Sequence, residues 1–358
     1  MKHCITKGAL SMACALSFTG LALAQDVDMT PGTPRFVVLP AKPAKSGVKP
    51  AVVLPTWNGS FNYQGATYSF NMVGTTPNTN TTTTVPVYII PLKVVITTST
   101  GTSTFDPNTV LPNGNTVIQN TVASPIFDST TTYIQGGTNV GTTQYIDAYQ
   151  RANFWAGVKS HPGYHVLFGG PTVLPTQTLS PPSRDGKVGK PFGFTAGEVN
   201  INWFDAEIQS IITSFSQIQP NSLPIFLTYD VYLTDFGCCI GGYHSAAGPQ
   251  AYAHATYVDV TGQFAQDVSA LSHEAGEFVD DPLVNNPNGN PVACGILEVG
   301  DPLENNANFG AYPYTLNGFQ YNLQDLVTLP YFGAPPAVSV HKWFTFQGET
   351  LSVCQNGG

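Results

Sequence analysis

The stretch LSHEAGEFVDDP, residues 271–282, decides how this chain is interpreted, because it places a histidine and two glutamates at helical spacing. At about 100° per residue, one side of a helix here is apolar, formed by Val268, Leu271, Ala275 and Phe278. His273 and Glu277 are four residues apart, so their side chains lie one turn above each other on roughly the opposite side. Glu274 points about 100° away from them. The sequence predicts a helix from about Asp267 to Asp280 with His273 and Glu277 projecting together.

This spacing suits a divalent metal. In the H-E-x-x-H signature, two histidines four apart bind zinc and the glutamate between acts as general base. Here Glu277 stands where the second histidine would be, and Glu274 is placed to reach a metal-bound water. A catalytic zinc site has three protein ligands and keeps one position for water. Residues 294–304, CGILEVGDPLE, offer Glu298 as the third ligand and Asp301 as a further carboxylate, which could take the other N–H of His273.

An ordinary acidic helix is the alternative, with the two glutamates on a solvated face and His273 exposed. Against this, the chain has only 22 acidic residues, and six of them fall in two short segments. These six are Glu274, Glu277, Asp280, Asp281, Glu298 and Asp301. The concentration of acids favours the metal hypothesis.

Upstream patterns predict the elements around this helix. Residues 202–215 have helical periodicity with Asn202 as N-cap, and residues 222–234 form a buried strand. A glycine-rich loop at 237–248 and an alternating strand at 251–260 follow. Helix, central strand, loop, edge strand and metal-bearing helix is the order of the zincin metalloprotease core, which this segment resembles. That resemblance places the strand at 251–260 beside a substrate.

Three side chains near this strand are candidates to stabilise an oxyanion: His254, Tyr257 and His244. His244, in the glycine-rich segment, is also a candidate metal ligand. For all three, packing is the alternative.

Taken together, LSHEAGEFVDDP, LEVGDP and the upstream GCCIGGYHS resemble the phosphate-induced, exordium-like group of secreted proteins. The resemblance covers about residues 200–305 and implies a zincin-like fold with a metallohydrolase site. It implies His273, Glu277 and Glu298 as ligands and Glu274 as the base. This chain departs from that group in its cysteines, since Pro302 follows Asp301 and Cys294 lies upstream.

We therefore predict an α+β protein with four parts. Residues 1–24 read as a signal peptide, with Lys2 and Lys7 before an apolar run that ends in Ala22-Leu23-Ala24. Residues 25–50 are an extended linker, residues 51–195 a β-rich N-terminal lobe, and residues 196–358 a zincin-like metal-binding lobe. The expected location is secreted or periplasmic, and no later run is apolar enough to span a membrane.

Composition limits the partners. Without Lys2 and Lys7, 11 basic residues face 22 acidic ones, a net charge of −11. No basic patch is present to follow phosphates, so nucleic acid is excluded. Four cysteines lie beyond residue 24, and an even count in an exported chain predicts two disulfides. Because adjacent cysteines rarely bond each other, Cys238 and Cys239 are each expected to pair with Cys294 or Cys354.

The resulting expectation is a secreted metal-dependent hydrolase, a peptidase in which Glu274 activates a metal-bound water. Zn²⁺ is the expected metal, and the extra carboxylate also admits Mn²⁺ or Fe²⁺. The partner is a peptide or protein substrate. The competing hypothesis is a non-catalytic secreted or cell-envelope binding protein that keeps a zincin-like scaffold, with the envelope surface as its partner.

Overall fold

The computed structural model describes residues 36–43, 52–63, 66–235, 237–286, 299–303, 306, 308–328 and 338–348. Within these ranges the chain is a mixed α+β protein in which strand residues outnumber helical ones. The predicted signal peptide, most of the predicted linker, Glu298, Cys294 and Cys354 lie outside the described residues. None of the described helices is long and apolar enough to cross a membrane.

The described helices are short. They are α1 (Val117–Val122), α2 (Tyr145–Asn153), α3 (Trp155–Val158), α4 (Ile201–Ser214) and α5 (Ser269–Asp280), with 3₁₀ turns at Asp301–Leu303 and Val340–Lys342.

The strands of the first half are β1 (Phe36–Val38), β2 (Thr56–Tyr63), β3 (Ala66–Val73), β4 (Thr82–Val85), β5 (Val87–Thr98), β6 (Gly101–Phe105), β7 (Thr132–Gln135), β8 (Thr138–Thr142), β9 (His165–Phe168) and β10 (Thr172–Val173). Those of the second half are β11 (Gln177–Leu179), β12 (Gly186–Gly189), β13 (Ala196–Asn200), β14 (Leu223–Tyr229), β15 (Val231–Thr234), β16 (Cys238–Ile240), β17 (Gly242–Ala247), β18 (Gln250–Tyr257), β19 (Ala311–Leu316) and β20 (Phe319–Gln324).

One mixed sheet organises the molecule. Its strands run in the order β1-β17-β18-β14-β5-β10, with β6 and β11 also paired to β5. β18, β14 and β5 are mutually parallel neighbours, whereas β17 is antiparallel to β18. A second sheet has the order β12-β13-β15-β16, and β2-β3, β7-β8 and β19-β20 are hairpins.

The two faces of the main sheet are covered by different helices. On one face, alternate residues of β18 pack in the same apolar cluster as Leu271, Ala275 and Phe278 of α5. On the other face, Tyr252 of β18 shares a cluster with Phe204 and Ile208 of α4. Because successive side chains of a strand point to opposite faces, the strand residue number decides which helix a side chain meets.

The predicted lobe boundary at residue 195 falls within this architecture. β5 comes from the predicted N-terminal lobe and pairs with β14 of the predicted metal-binding lobe. Residues 51–195 therefore do not form a separate sheet. The parallel register of β5 with β14 connects residues far apart in sequence, which a linear composition profile does not reveal. Residues 36–43, placed in a linker by the sequence, instead lie along β17 at the end of the sheet.

Three local predictions near the site are wrong. The glycine-rich segment 237–248 forms β16 and β17 rather than a loop. As a consequence, β18 is not an edge strand, because β17 separates it from β1. The cap of α4 is Asn200 rather than Asn202, since the Asn200 side chain accepts hydrogen bonds from the backbone N–H groups of Asn202 and Trp203.

The expected cysteine pairing is also wrong. Cys238 and Cys239 are bonded to each other as a vicinal disulfide, instead of each reaching Cys294 or Cys354. Their Cα atoms are 3.1 Å apart across a cis peptide bond. The prediction rested on the rarity of disulfides between adjacent cysteines.

Candidate metal centre

Helix α5 confirms the predicted secondary structure and phase, but its surroundings differ from a surface helix. Every one of its residues is buried, including His273, Glu274 and Glu277. The alternative of a solvated acidic face with an exposed histidine is therefore wrong. Charged side chains are seldom fully buried unless they are paired or coordinate a metal. These three groups must therefore be paired with neighbouring groups or with a metal inside the protein.

The first cluster is formed by His273, Glu277 and Asp301. His273 Nε2 lies 2.7 Å from Glu277 Oε1 and 3.5 Å from Asp301 Oδ1. Asp301 begins the 3₁₀ turn that follows the undescribed segment 287–298, and its side chain keeps 22% exposure. In a tetrahedral zinc site with bonds of about 2.0–2.1 Å, neighbouring ligand atoms are about 3.3 Å apart. The observed separations bracket that value.

His244 adds a second cluster on the other side of Glu277. It comes from β17, and its Nδ1 lies 3.0 Å from Glu277 Oε2 and 3.8 Å from Glu274 Oε2. Both rings and both glutamates are at most 1% exposed. Helix α5 and strand β17 thus bring two imidazoles to one shared carboxylate, Glu277.

The hydrogen bonds of Gln324 determine which nitrogen of the His273 ring carries the hydrogen. Gln324 of β20 directs its Nε2 at the carbonyl oxygens of Gly300 and Phe309, at 3.4 and 3.1 Å. The amide oxygen of Gln324 therefore faces His273 Nδ1, at 2.5 Å, and His273 Nδ1 donates the hydrogen. His273 Nε2 is left facing the carboxylates, where a proton or a metal cation fits.

His244 repeats this arrangement. Its Nε2 lies 3.2 Å from the backbone oxygen of Asp281, so Nε2–H donates there and Nδ1 faces Glu277. Histidines that bind metals almost always donate their other ring N–H to a carboxylate, a backbone carbonyl or water, which fixes the tautomer. Both histidines therefore meet this requirement with neutral oxygen acceptors, and both direct the remaining nitrogen at Glu277.

Electrostatics keep Glu277 ionised. Burial raises the pKa of this carboxyl, but when the rings of His273 and His244 carry a second proton, the charge of His273 and the hydrogen bonds from both rings outweigh burial and lower the pKa of Glu277 to about 2. Each of the two clusters offers one imidazole and two carboxylates, a donor set that suits zinc and also admits manganese or iron. The residues present therefore fit a divalent metal.

Glu274 occupies a narrow space beside this set. Both faces of its carboxylate are buried, and Gly242 of β17 lies directly against it. A Cβ atom at position 242 would come within 2.5 Å of Glu274 Oε1 and 2.9 Å of the backbone oxygen of His254. Glycine at 242 is thus what permits β17 to approach α5 closely enough for His244 to reach Glu277.

The last residue of α5 contributes a second buried carboxyl. Asp280 Oδ2 lies 2.9 Å from the hydroxyl of Tyr149, which also lies 2.9 Å from the backbone oxygen of Val327. The single phenolic hydrogen of Tyr149 is therefore shared between the carboxyl of Asp280 and the carbonyl of Val327. Burial raises the pKa of Asp280 to about 7, partly offset by hydrogen bonds from Tyr149 and Gln150.

The predicted residues divide into three groups. His273, Glu277 and Asp301 come together, with Asp301 at the same ring nitrogen of His273 as Glu277 rather than at the other one. Gln324 takes the position predicted for Asp301, and nothing in the sequence around Gln324 indicates a contact with His273. His244 joins the cluster as the alternative ligand considered above, and Glu298 lies outside the described residues.

The two predicted oxyanion residues are placed elsewhere. His254 lies on the α4 face of the sheet, where its ring packs 4.7 Å from Phe204 and its Nε2 contacts Thr228. Burial lowers the pKa of His254 to about 3, so it is neutral. Tyr257 lies on the α5 face, and its hydroxyl accepts a hydrogen bond from Asn120 of α1. Side chains of neighbouring strands in register point to the same face of the sheet, and His254 is opposite Tyr243 rather than His244. His244 therefore faces α5, whereas His254 faces α4.

Neither a protein-family model nor a curated protein nor a solved structure matches this chain. The likeness to exordium-like proteins stays a prediction drawn from the residues.

Proposed function

We propose that this protein is an exported metal-dependent hydrolase, a peptidase on a zincin-like scaffold, with zinc or else manganese or iron at its centre. One observation carries the proposal. His244 and His273 each donate one ring N–H to a neutral oxygen and turn the other nitrogen to the same buried carboxylate, Glu277. This is the arrangement by which proteins orient histidines for a metal.

The roles of the side chains follow from their positions. His273, Glu277 and Asp301 would hold the metal, with Asp301 at the more open side and His244 at the opposite oxygen of Glu277. A bound divalent metal would supply Lewis acidity, which polarises a peptide carbonyl and acidifies a water molecule. Glu274 lies beside the cluster, and its carboxylate would accept the proton of the attacking water. With two carboxylates bound, the metal would be formally neutral, so more of the activation would depend on Glu274.

A second candidate is favoured by the burial of the cluster. Structural zinc sites have four protein ligands and no open position, whereas catalytic sites keep one open. Among the residues of the two clusters, only Asp301 keeps appreciable exposure. A non-catalytic secreted or envelope-binding protein with a structural metal would need no more access than this. An enzyme would need the side of Asp301 to admit water and substrate.

Zinc titration against a competing chelator, paired with hydrolysis of a dye-labelled unfolded protein, tests the proposal. Glu277→Gln is expected to lose zinc binding, and Glu274→Gln to keep zinc but lose hydrolysis. Glu198→Gln is the matched control, because Glu198 is also buried and pairs with Lys187 on a different sheet. Parent protein that binds no zinc would refute the metal centre. A stoichiometric zinc that is released in Asp301→Ala, with no hydrolysis by any variant, would establish the structural candidate instead.

A further inference from the structure

The outer edge of β17 is occupied by residues 36–43 of the same chain. β1 pairs in parallel with β17, so that Val37 lies opposite Tyr243. Beyond β1, the N–H of Leu39 donates to His244 O at 3.3 Å, and the N–H of Lys42 donates to Ala246 O at 2.7 Å. In return, the N–H of Gly248 donates to Lys42 O at 2.8 Å. This is the main-chain pattern of an extended peptide added to a sheet edge.

The same segment reaches the metal centre. Phe36 is 2% exposed, and its ring stacks on His273 with centroids 3.9 Å apart and an interplanar angle of 26°. On its other flank Phe36 lies 5.1 Å from the ring of Phe264. An aromatic side chain of the segment therefore covers the imidazole that the proposed function assigns to the metal.

A charged contact fixes the other end of the segment. The ammonium group of Lys42 pairs with Asp205, whose side chain is 2% exposed. The carboxylate of Asp205 also accepts hydrogen bonds from Tyr243 and Tyr252, at 3.0 and 2.7 Å. Without a lysine at this position, the buried carboxylate would keep only two neutral donors. Asp205 and its tyrosines thus form a preformed pocket for a cationic side chain.

The segment pairs regularly with β17 along only part of its described length. Ladder pairing covers Phe36–Val38, after which Pro40 and Pro43 supply no N–H to the edge. A buried aromatic contact, a few main-chain hydrogen bonds and one ion pair are also the contacts by which an extended peptide adds to a sheet edge.

We propose that the β17 edge is a binding site for extended peptides and that residues 36–43 occupy it as an internal ligand. The site selects a peptide running parallel to β17, with an aromatic residue against His273 and a lysine or arginine six positions later against Asp205. Release of the internal segment opens the edge to such a peptide. The assignment of this edge to substrate rests on the proposed function, whereas the occupancy by residues 36–43 does not.

The test uses the full chain and a dye-labelled synthetic peptide of sequence FVVLPAKP. In the parent protein the tethered segment has an effective concentration that a soluble peptide at micromolar concentration does not match. In Lys42→Ala the tethered segment binds the edge more weakly, so the labelled peptide should bind this variant at least about tenfold more tightly than it binds the parent. A peptide with glutamate in place of its lysine should lose this gain. Lys187→Ala, which breaks a comparable ion pair to buried Glu198, is the matched control and should behave as the parent.

Amide hydrogen exchange provides the second measurement. The N–H of Gly248 is bonded to Lys42 O, so its exchange should accelerate in Lys42→Ala and more so in Phe36→Ala/Lys42→Ala. If the double variant does not fold, Lys42→Ala with native circular dichroism decides alone. Equal peptide affinity in parent and folded Lys42→Ala, or unchanged exchange of Gly248, would overturn the proposal.

Zinc binding and hydrolysis by the same proteins separate this proposal from the previous one. Peptide capture by Lys42→Ala without any hydrolysis would defeat the hydrolase and leave the binding edge intact. Zinc-dependent hydrolysis that is equal in the parent and Lys42→Ala, with no peptide capture, would defeat the internal ligand alone.

Discussion

Replacing Gln324 by leucine should weaken metal binding although Gln324 is not itself a ligand. Its amide oxygen accepts the Nδ1 hydrogen of His273 and so keeps Nε2 available on the side of Glu277. Leucine has a similar volume and no acceptor. In Gln324→Leu the Nδ1–H loses its partner inside the protein, where His273 has no exposure to water. The ring is then free to take the other tautomer, which blocks Nε2.

The expected magnitude follows from these contacts. Removing an outer partner of a metal-binding histidine lowers metal affinity about 10- to 100-fold, which corresponds to about 1.4–2.7 kcal/mol. Because Gln324 and His273 are both fully buried, we expect a loss in the upper part of that range. The same substitution leaves the carbonyl oxygens of Gly300 and Phe309 without their amide donor, at a cost of about 1–3 kcal/mol each in stability.

Chelator competition measures the affinity, and urea unfolding of the metal-free protein measures the stability separately. Gln250→Leu is the matched control, because Gln250 is also buried and its amide donates to two backbone oxygens, those of Ser222 and Ala251. It should lose stability but keep zinc affinity. Gln324→Glu should retain zinc, since a carboxylate accepts the same Nδ1–H. Unchanged zinc affinity in folded Gln324→Leu would refute the tautomer argument.

Two further substitutions probe the surroundings of the cluster. Gly242→Ala should reduce hydrolysis about tenfold or more and leave zinc affinity nearly unchanged. The new methyl group cannot move the backbone of His254, so it displaces the carboxylate of Glu274 instead. Equal kcat values for Gly242→Ala and the parent would contradict this. Asp280→Asn tests the raised pKa at the end of α5. A carboxyl with a folded pKa of about 7 binds its proton more tightly folded than unfolded, so raising the pH from 5 to 8 should destabilise the parent by roughly 1–3 kcal/mol. Urea unfolding at several pH values in that range should show that the unfolding free energy of Asp280→Asn depends less on pH than that of the parent. An identical pH dependence in the two proteins would show that Asp280 is ionised throughout.

Local periodicity was enough to predict the centre of the site. Helix α5 has the expected extent to within two residues at its start, and His273 and Glu277 share a buried cluster as their four-residue spacing predicts. Asp301 also lies where the sequence suggested a carboxylate near His273, although at the other nitrogen. These features depend on the helix and on a segment that follows it closely.

The parts that sequence did not predict depend on contacts between distant segments. Gln324 reaches His273 because β20 packs beside α5, and a glutamine in an alternating strand carries no mark of that neighbour. The pairing of β5 with β14 escaped prediction for the same reason, since the two strands are more than a hundred residues apart. His254 looked like a candidate because it stands on the correct strand, but only the register with β17 decides its face.

The misassigned glycine-rich segment shows how one sequence signal has two physical meanings. Glycine marks a turn where the chain needs unusual backbone angles, but in a strand it also marks a place where another element approaches closely. Gly242 is of the second kind, because Glu274 occupies the space that a side chain would need. His244 follows two positions later on the same face of β17 and reaches the shared carboxylate. A Gly-x-His strand opposite a His-Glu-x-x-Glu helix is therefore a single unit: the glycine brings the strand near, and the histidine uses that proximity to reach Glu277.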